Sequence, residues 1–123
     1  MTGVGIDLVA VPRIAESVQR FGDRFLRRVF TADEIAYAQA SPTVRAARLA
    51  ARFAAKEATI KALRVAPDVP MRWTDIEVQR ESSGACVLAL RGHAAAWAQH
   101  WRWLTPSLSL SHDGDYATAI VVL

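Results

Sequence analysis

The sequence predicts one mixed α+β domain, and three observations lead to that prediction. A chain of 123 residues is large enough for one hydrophobic core and too small for two independent ones. Apolar residues at both ends of the chain, in 3–11 and 116–123, form patterns that are typical of strands. Between them, residues 41–63 are rich in alanine and contain no helix breaker after an initial proline, as a long helix requires.

The first strand contains an unexpected acid. Val4, Ile6 and Leu8 recur at every second position, which predicts a strand over residues 3–11 and places Asp7 on its opposite face. An apolar setting tolerates a carboxylate only when it is paired or bound to a cation. Asp7 is therefore either a hydrogen-bonded structural residue or part of a site.

Three short helices are predicted after this strand. A proline stands where the first helix begins, and apolar residues recur at helical spacing until Gly22 interrupts the pattern. Residues 23–30 form the second. Thr31 and Glu34 have the spacing of a capping box, which predicts a third helix over residues 32–40.

The longest helix is predicted to begin at Ser41 and Pro42, a hydroxyl cap followed by a proline in the first turn. It extends to about residue 63, and prolines at 67 and 70 end the segment in a loop. Large apolar residues separated by small ones give this helix a buried side: Leu49, Phe53, Ile60 and Leu63.

The remainder of the chain is predicted to be mostly strands. In order, the elements are a hairpin of residues 75–81 and 85–91, a helix over 93–103, a strand that ends near His112, and a last strand over 116–123. The hairpin turns at residues 82–84 and directs Ile76 and Val78 inward.

Composition and charge exclude several classes of protein. Apolar residues make up 52% of the chain and charged residues 22%, which excludes a disordered polyelectrolyte. No uncharged apolar run has the length of a membrane span, and no basic segment opens the chain as in a signal peptide. The single cysteine, Cys86, cannot form an internal disulfide or a thiolate zinc cluster, and we interpret it as a small buried residue. We expect a soluble, cytoplasmic protein.

The net charge of +3 is unevenly distributed. Residues 1–64 contain eleven Lys or Arg and six Asp or Glu, whereas residues 65–123 contain four Arg and six acids. An arginine-rich half favours partners that carry carboxylates or phosphates. A small nucleic-acid-binding domain is one alternative, although all four tryptophans lie in the acidic half, apart from the basic residues.

Two carboxylates and a lysine are candidates for a phosphate-binding site. Glu57 and Lys61 stand four residues apart on the long helix, a spacing that by itself predicts an ion pair worth a few tenths of a kcal/mol. Their neighbours are small and apolar, which predicts a partly buried helix where charges are costly unless they have a function. Together with Asp7 they suit a hard cation that holds a diphosphate.

Four motifs follow one another along the chain: Gly3-Val4-Gly5-Ile6-Asp7-Leu8-Val9, Phe30-Thr31-Ala32-Asp33-Glu34, Arg52-Phe53-Ala54-Ala55-Lys56-Glu57-Ala58 with Lys61-Ala62, and Ser109-Leu110-Ser111-His112. The set resembles the holo-acyl-carrier-protein synthases, the short class of 4′-phosphopantetheinyl transferases, over nearly the whole chain. The resemblance implies the 4′-phosphopantetheinyl transferase fold, with an antiparallel sheet and a long packed helix in one domain, residues 1–123.

The resemblance also implies a reaction. These enzymes transfer the 4′-phosphopantetheine arm of coenzyme A to a serine hydroxyl of apo acyl carrier protein and release adenosine 3′,5′-bisphosphate. The implied role is in fatty acid or polyketide biosynthesis. Attack at phosphorus needs an in-line hydroxyl and neutralised oxygens more than covalent chemistry from the protein.

Roles at the matching positions follow from the resemblance. Asp7 and Glu57 would ligate Mg²⁺, and Lys61 would contact the diphosphate. The coenzyme A ligands would be Arg45, Arg52, Lys61, Ser111 and His112, with Arg48 near them on the same helix. His112 would hold phosphate or assist proton movement. The general base stays open between Glu57, a metal-bound water and Asp113.

Five arginines are implied to bind the acidic recognition helix of acyl carrier protein: Arg13, Arg20, Arg24, Arg27 and Arg28. Three of them recur every seven residues and could share a helix face. Complementary charge would speed and orient the encounter, whereas the alternative is an ordinary solvated surface.

One departure from the family pattern concerns the hairpin turn. The family often has Gly, then Lys or Arg, then Pro beside the nucleotide, whereas this chain has Gly84-Ala85-Cys86. A basic contact to the adenosine end of coenzyme A would therefore be missing at this turn.

Short members of the family are homotrimers with active sites between adjacent subunits. Trp97, Trp101 and the apolar last strand would supply hydrophobic surface for such an assembly. An inactive carrier-binding protein of the same fold is a second alternative, but Asp7, Glu57, Lys61 and His112 all keep the required residue types.

Overall fold

The α+β prediction is confirmed in the computed structural model, which describes residues 3–101 and 106–123. The helices are α1 (Val11–Phe21), α2 (Asp23–Val29), α3 (Ala32–Gln39), α4 (Arg45–Leu63) and α5 (Gly92–Ala98). The strands are β1 (Val4–Ala10), β2 (Ile76–Arg80), β3 (Cys86–Leu90), β4 (Ser107–Asp113) and β5 (Tyr116–Val122). A 3₁₀ turn, Gln99–Trp101, follows α5, and the end of the helix predicted over 93–103 lies outside the described residues.

Two antiparallel sheets are present. One has the strand order β1-β5-β4, and the other is the predicted hairpin of β2 and β3. Ile76 and Val78 of the hairpin are buried, as predicted. Among the described helices, none combines the length and the apolar character needed to cross a membrane.

Helix α4 lies directly against β1 because two glycines leave room for its backbone. A Cβ atom placed on Gly5 would lie 1.9 Å from the carbonyl oxygen of Ala58, and one on Gly3 would lie 2.3 Å from that of Ala62. Such distances are far inside van der Waals contact, so only glycine fits at either position. This close packing brings Asp7, on the same face of β1, alongside the last turns of α4.

The start and the burial of α4 differ from the prediction. The Ser41 side chain makes no capping hydrogen bond, and a 3₁₀ turn, Pro42–Val44, precedes an α-helix that begins at Arg45. The helix is buried on most of its surface rather than on one side, because the sheet, the other helices and the hairpin surround it. The small alanine side chains of α4 let the neighbouring elements pack closely around it. Two of the large residues predicted on its buried side, Phe53 and Ile60, are only half-buried.

The outer face of the larger sheet is apolar and exposed. Val4, Ile6 and Leu8 point away from α4 and are 61%, 63% and 66% exposed, beside Ile120 and Val122 of β5. We call these five residues the outer apolar strip. A contiguous patch of exposed apolar side chains is typical of a surface that binds another molecule.

Trp97 does not contribute to that surface. Its indole N–H donates a hydrogen bond of 2.7 Å to the carbonyl of Leu63, and its side chain is half-buried against the end of α4. The side chain of Trp101 lies outside the described residues. The exposed apolar surface is therefore on β1 and β5 rather than on the tryptophan-containing helix.

A buried ion pair joins α3, α4 and the hairpin. Lys56 Nζ lies 2.8 Å from Glu34 Oε1, and neither side chain is exposed to solvent. Lys56 also donates to the carbonyls of Trp73 and Ile76, while Glu34 accepts from the backbone N–H of Val78. Burial lowers the pKa of Lys56, and the Glu34 carboxylate opposes that effect.

Glu34 also completes the predicted capping box of α3. Its Oε1 accepts the Thr31 N–H at 2.9 Å, and its own N–H donates to the Thr31 hydroxyl oxygen. The same hydroxyl donates to Glu77 of β2. Burial alone would raise the pKa of Glu77, but hydrogen bonds from Thr31, Arg91 and Gln79 outweigh it and lower the pKa to about 2. Polar contacts thus hold the hairpin to α3 and α4.

Candidate active site

The sheet and α4 bring Asp7, Glu57 and Lys61 together, as the sequence predicted. Lys61 Nζ lies 3.2 Å from Asp7 Oδ1 and donates a 2.9 Å hydrogen bond to the carbonyl of Ile6. The Asp7 side chain is mostly buried, whereas that of Lys61 is half exposed. Thr118 of β5 donates to the Asp7 carbonyl at 2.8 Å, which fixes the strand at this residue. We call Asp7, Glu57 and Lys61 the carboxylate cluster.

The electrostatics of the carboxylate cluster suit a cation. Burial and the nearby Asp7 carboxylate raise the pKa of Glu57, and Lys61 only partly offsets them. Two negative charges are therefore held close together with incomplete compensation from the protein. Hard carboxylate oxygens are the donors that Mg²⁺ and Ca²⁺ prefer.

The donor set fits Mg²⁺ better than a cation that needs a full protein cage. Within residues 3–101 and 106–123, no group of three or more His, Cys, Asp or Glu side chains could hold a metal ion. Mg²⁺ is commonly bound by one or two carboxylates and takes its other ligands from water and substrate phosphates. Asp7 and Glu57 match that pattern.

A second group of predicted residues lines a cavity of about 670 Å³ between β4, α4 and the hairpin. Ser111 and His112 lie on its β4 side, and Arg52 lies on its α4 side. Asp7, Glu57 and Lys61 do not line this cavity. Within a single chain, the predicted coenzyme A residues therefore fall into two groups. Lys61 belongs to the carboxylate cluster, and the residues at the cavity are Arg52, Ser111 and His112.

Two predicted residues lie outside both groups. Arg45 lines a smaller groove between α1 and α4, together with Val18 and Leu49, whereas Arg48, which the sequence analysis placed near the coenzyme A ligands, lines the large cavity. Arg45 and Leu49 stand one helical turn apart, on the side of α4 that borders α1. Asp113 is exposed at the end of β4 and does not line the cavity.

The five arginines predicted to bind a carrier protein are all exposed on α1 and α2. Gly22, with φ of 56°, separates the two helices, so the seven-residue recurrence does not form one helix face. Arg24 and Arg28 border an apolar groove that also contains Phe53. We call this groove the basic groove. Phe53 is one helical turn before Glu57, so one residue of the groove and one residue of the carboxylate cluster share a face of α4.

The sequence analysis missed two residues of the large cavity, Tyr37 of α3 and Arg80 of β2. Arg80 pairs with Cys86 across the hairpin stem, so the predicted hairpin already placed it near the turn. Tyr37 gave no comparable signal, because only tertiary packing brings α3 to the cavity.

Comparison with known proteins gives consistent results. Residues 3–121 match the model of the 4′-phosphopantetheinyl transferase superfamily. A holo-[acyl-carrier-protein] synthase of Koribacter versatilis (strain Ellin345) is 48% identical over 121 residues, which cover 98% of this chain and 96% of the relative.

Solved structures agree with this relationship. An ACPS-CoA complex from Chronobacterium ammoniagenes has a TM-score of 0.85 and 39% identity, covering 99% of this chain and 96% of the other. A Helicobacter pylori holo-[acyl-carrier-protein] synthase in complex with coenzyme A has a TM-score of 0.82 and 30% identity, covering 96% of both chains.

Proposed function

The chain belongs to the 4′-phosphopantetheinyl transferase superfamily, and from that premise we propose that it acts as a Mg²⁺-dependent holo-[acyl-carrier-protein] synthase. The serine hydroxyl of apo acyl carrier protein attacks the phosphorus that carries the pantetheine arm of coenzyme A. The bond from that phosphorus to the bridging oxygen breaks, and adenosine 3′,5′-bisphosphate leaves. The carboxylate cluster, held between β1 and α4, is the observation that carries the proposal.

Residues of the cluster have distinct proposed roles. Asp7 and Glu57 would hold Mg²⁺, which when bound neutralises diphosphate oxygens. Lys61, already oriented by Asp7 and the Ile6 carbonyl, contacts the diphosphate and offsets charge on the leaving group. Of the two carboxylates considered for the serine proton, Glu57 lies in the cluster and Asp113 lies outside it, so the geometry favours Glu57.

The basic groove is proposed to bind the carrier protein. Acidic groups on the partner would meet Arg24 and Arg28 while an apolar side chain enters the groove beside Phe53. This position delivers a partner serine close to Glu57. The remaining arginines of α1 and α2, Arg13, Arg20 and Arg27, extend the same positive surface.

Reversal of two groove charges tests this assignment. The Arg24→Glu, Arg28→Glu double variant should lower kcat/KM for acyl carrier protein at least about tenfold, since like charges are brought together. Coenzyme A affinity should stay unchanged. Gln99→Glu, which adds negative charge outside the groove, serves as the control. Equal losses toward both substrates would contradict the docking assignment.

We also propose a homotrimer in which neighbouring chains complete each active site. Two observations support it: the outer apolar strip is exposed, and the carboxylate cluster and the His112 cavity are separate within one chain. Light scattering should give three times the chain mass, and Ile6→Glu should reduce the assembly by placing a charge in the strip. A fully active monomer would exclude a shared site.

The direct test of the proposed function measures the mass of a carrier protein. Incubation with apo acyl carrier protein, coenzyme A and Mg²⁺ should add one phosphopantetheine group to the carrier serine, and EDTA should prevent the addition. Absence of both transfer and coenzyme A binding would overturn the proposal. The family relationship does not favour the nucleic-acid alternative. A cytoplasmic location and a role in fatty acid biosynthesis remain predictions.

A further inference from the structure

The chain contains two lysines, Lys56 and Lys61, and both lie on α4 beside acidic groups. Lys56 is fully buried, and its amine is bound to the Glu34 carboxylate and to two backbone carbonyls. The side chain of Lys61 is 54% exposed, and its amine contacts Asp7 Oδ1 at 3.2 Å and the Ile6 carbonyl at 2.9 Å. Lys56 is therefore fixed in the core, whereas Lys61 forms a weak surface ion pair that another partner can replace.

The Asp7 carboxylate has two partners under the proposed function. Its Oδ1 atom accepts a hydrogen bond from Lys61, and the same carboxylate is proposed to hold Mg²⁺. The Asp7 side chain is only 17% exposed, so little water can screen two cations from each other at this position. Like charges repel more strongly where solvent is scarce. A metal ion and the Lys61 ammonium group therefore compete for Asp7.

The charges of the carboxylate cluster indicate which cation is favoured. Asp7 and Glu57 interact electrostatically, and Lys61 offsets only part of their combined charge. A divalent cation offsets more of this charge than an ammonium group does. Once the carboxylates have a divalent partner, the ammonium group is free to bind another anion, and the diphosphate of coenzyme A is the anion that the proposed function brings to this site.

We propose that Lys61 is a displaceable counter-ion of the carboxylate cluster. Its ammonium group stabilises the cluster while no metal is bound, yields Asp7 to Mg²⁺, and then binds the diphosphate. This inference rests on the proposed function and adds an order to it, because Lys61 reaches the diphosphate only after it has left Asp7. The metal and coenzyme A should therefore strengthen each other's binding through this side chain, and the coupling is reciprocal.

The small number of lysines makes the displacement directly observable by NMR. In the whole protein grown with isotope-labelled lysine, one set of side-chain signals belongs to Lys56 and one to Lys61, and Lys61→Met assigns them by removing one set. Relaxation of the lysine ε-carbons should show that Lys61 becomes more mobile with Mg²⁺ alone and ordered again when coenzyme A is added. Lys56 is the internal reference, and its mobility should stay nearly constant because its amine is buried and bound.

Calorimetry with Lys61→Met measures the coupling. Without coenzyme A, the variant should bind Mg²⁺ about two- to fivefold more tightly than the unmodified chain, because the competing ammonium group is gone. At saturating Mg²⁺, it should bind coenzyme A at least about tenfold more weakly, because a charge-assisted contact with the diphosphate is lost. Without metal this loss should be smaller, since Lys61 of the unmodified chain is then still held by Asp7. Arg72→Met, which removes an exposed positive charge outside the cluster, should leave both affinities unchanged.

The outcomes separate this inference from the proposed function. Equal losses of coenzyme A affinity with and without Mg²⁺ would overturn the inference, and so would an unchanged mobility of Lys61 at saturating metal. Phosphopantetheine transfer together with either result would reject the displacement and leave the proposed function intact. Displacement of Lys61 without any transfer to a carrier would reject the proposed function and leave a coupled site for a divalent cation and a diphosphate.

Discussion

Glu57→Gln is expected to lower metal-dependent phosphopantetheine transfer at least about a hundredfold while the chain remains folded. The substitution keeps the volume of the side chain but removes one of the two carboxylates that would hold Mg²⁺. The remaining Asp7 is already paired with Lys61, so it does not replace the lost charge. Transfer assays over a range of Mg²⁺ concentrations measure the effect, with Glu81→Gln, an exposed hairpin glutamate, as the matched control.

The Glu57→Gln substitution should not lower the stability of the fold, although it lowers activity. Burial and Asp7 raise the pKa of Glu57, so its charged form is disfavoured in the folded chain. A carboxylate of this kind costs folding free energy once the pH rises through its folded pKa, and the cost disappears at low pH. Near pH 7, the Glu57→Gln variant should therefore unfold at the same denaturant concentration as the unmodified chain or at a higher one. At acidic pH, where Glu57 is protonated, the two proteins should unfold at the same concentration. Activity close to normal would contradict the metal assignment, and a large loss of stability would contradict the electrostatic argument.

The carboxylate cluster could be predicted because its charged residues interrupt segments of the sequence that are otherwise apolar. Asp7 interrupts an apolar strand, and Glu57 and Lys61 follow small residues on a long helix. Local signals also predicted the capping box of Thr31 and Glu34 and the hairpin, since both depend on residues close in sequence. The close packing of β1 on α4 at Gly5 then brings Asp7 next to Glu57 and Lys61.

Features that depend on packing between distant elements could not be predicted in the same way. Alternation in β1 shows that Val4, Ile6 and Leu8 share a face, but it does not show that the glycine-containing face packs on α4. The large cavity combines residues of α3, α4, β2 and β4, and no spacing along the chain relates Tyr37 to the other elements.

Lys56 illustrates the same limit within one helix. The sequence analysis names Lys56 only as part of a motif, whereas the surrounding elements enclose the helix and leave Lys56 fully buried. Its amine is retained there because Glu34 and two backbone carbonyls accept its hydrogen bonds. The adjacent residue, Glu57, lies on a more accessible part of the helix surface.

Lys56→Met is expected to destabilise the fold by about 3–5 kcal/mol, because it leaves the Glu34 carboxylate buried without a cation and two carbonyls without a donor. Lys61→Met provides a matched control on the same helix. Its amine is half exposed and forms one ion pair, so the change should cost no more than about 1 kcal/mol while lowering transfer strongly. Urea unfolding and the transfer assay, applied to both variants, should therefore give opposite rankings. If Lys56→Met unfolded at the same urea concentration as the unmodified chain, the buried pair would have no structural role. If both variants lost only stability, Lys61 would have no role at the diphosphate.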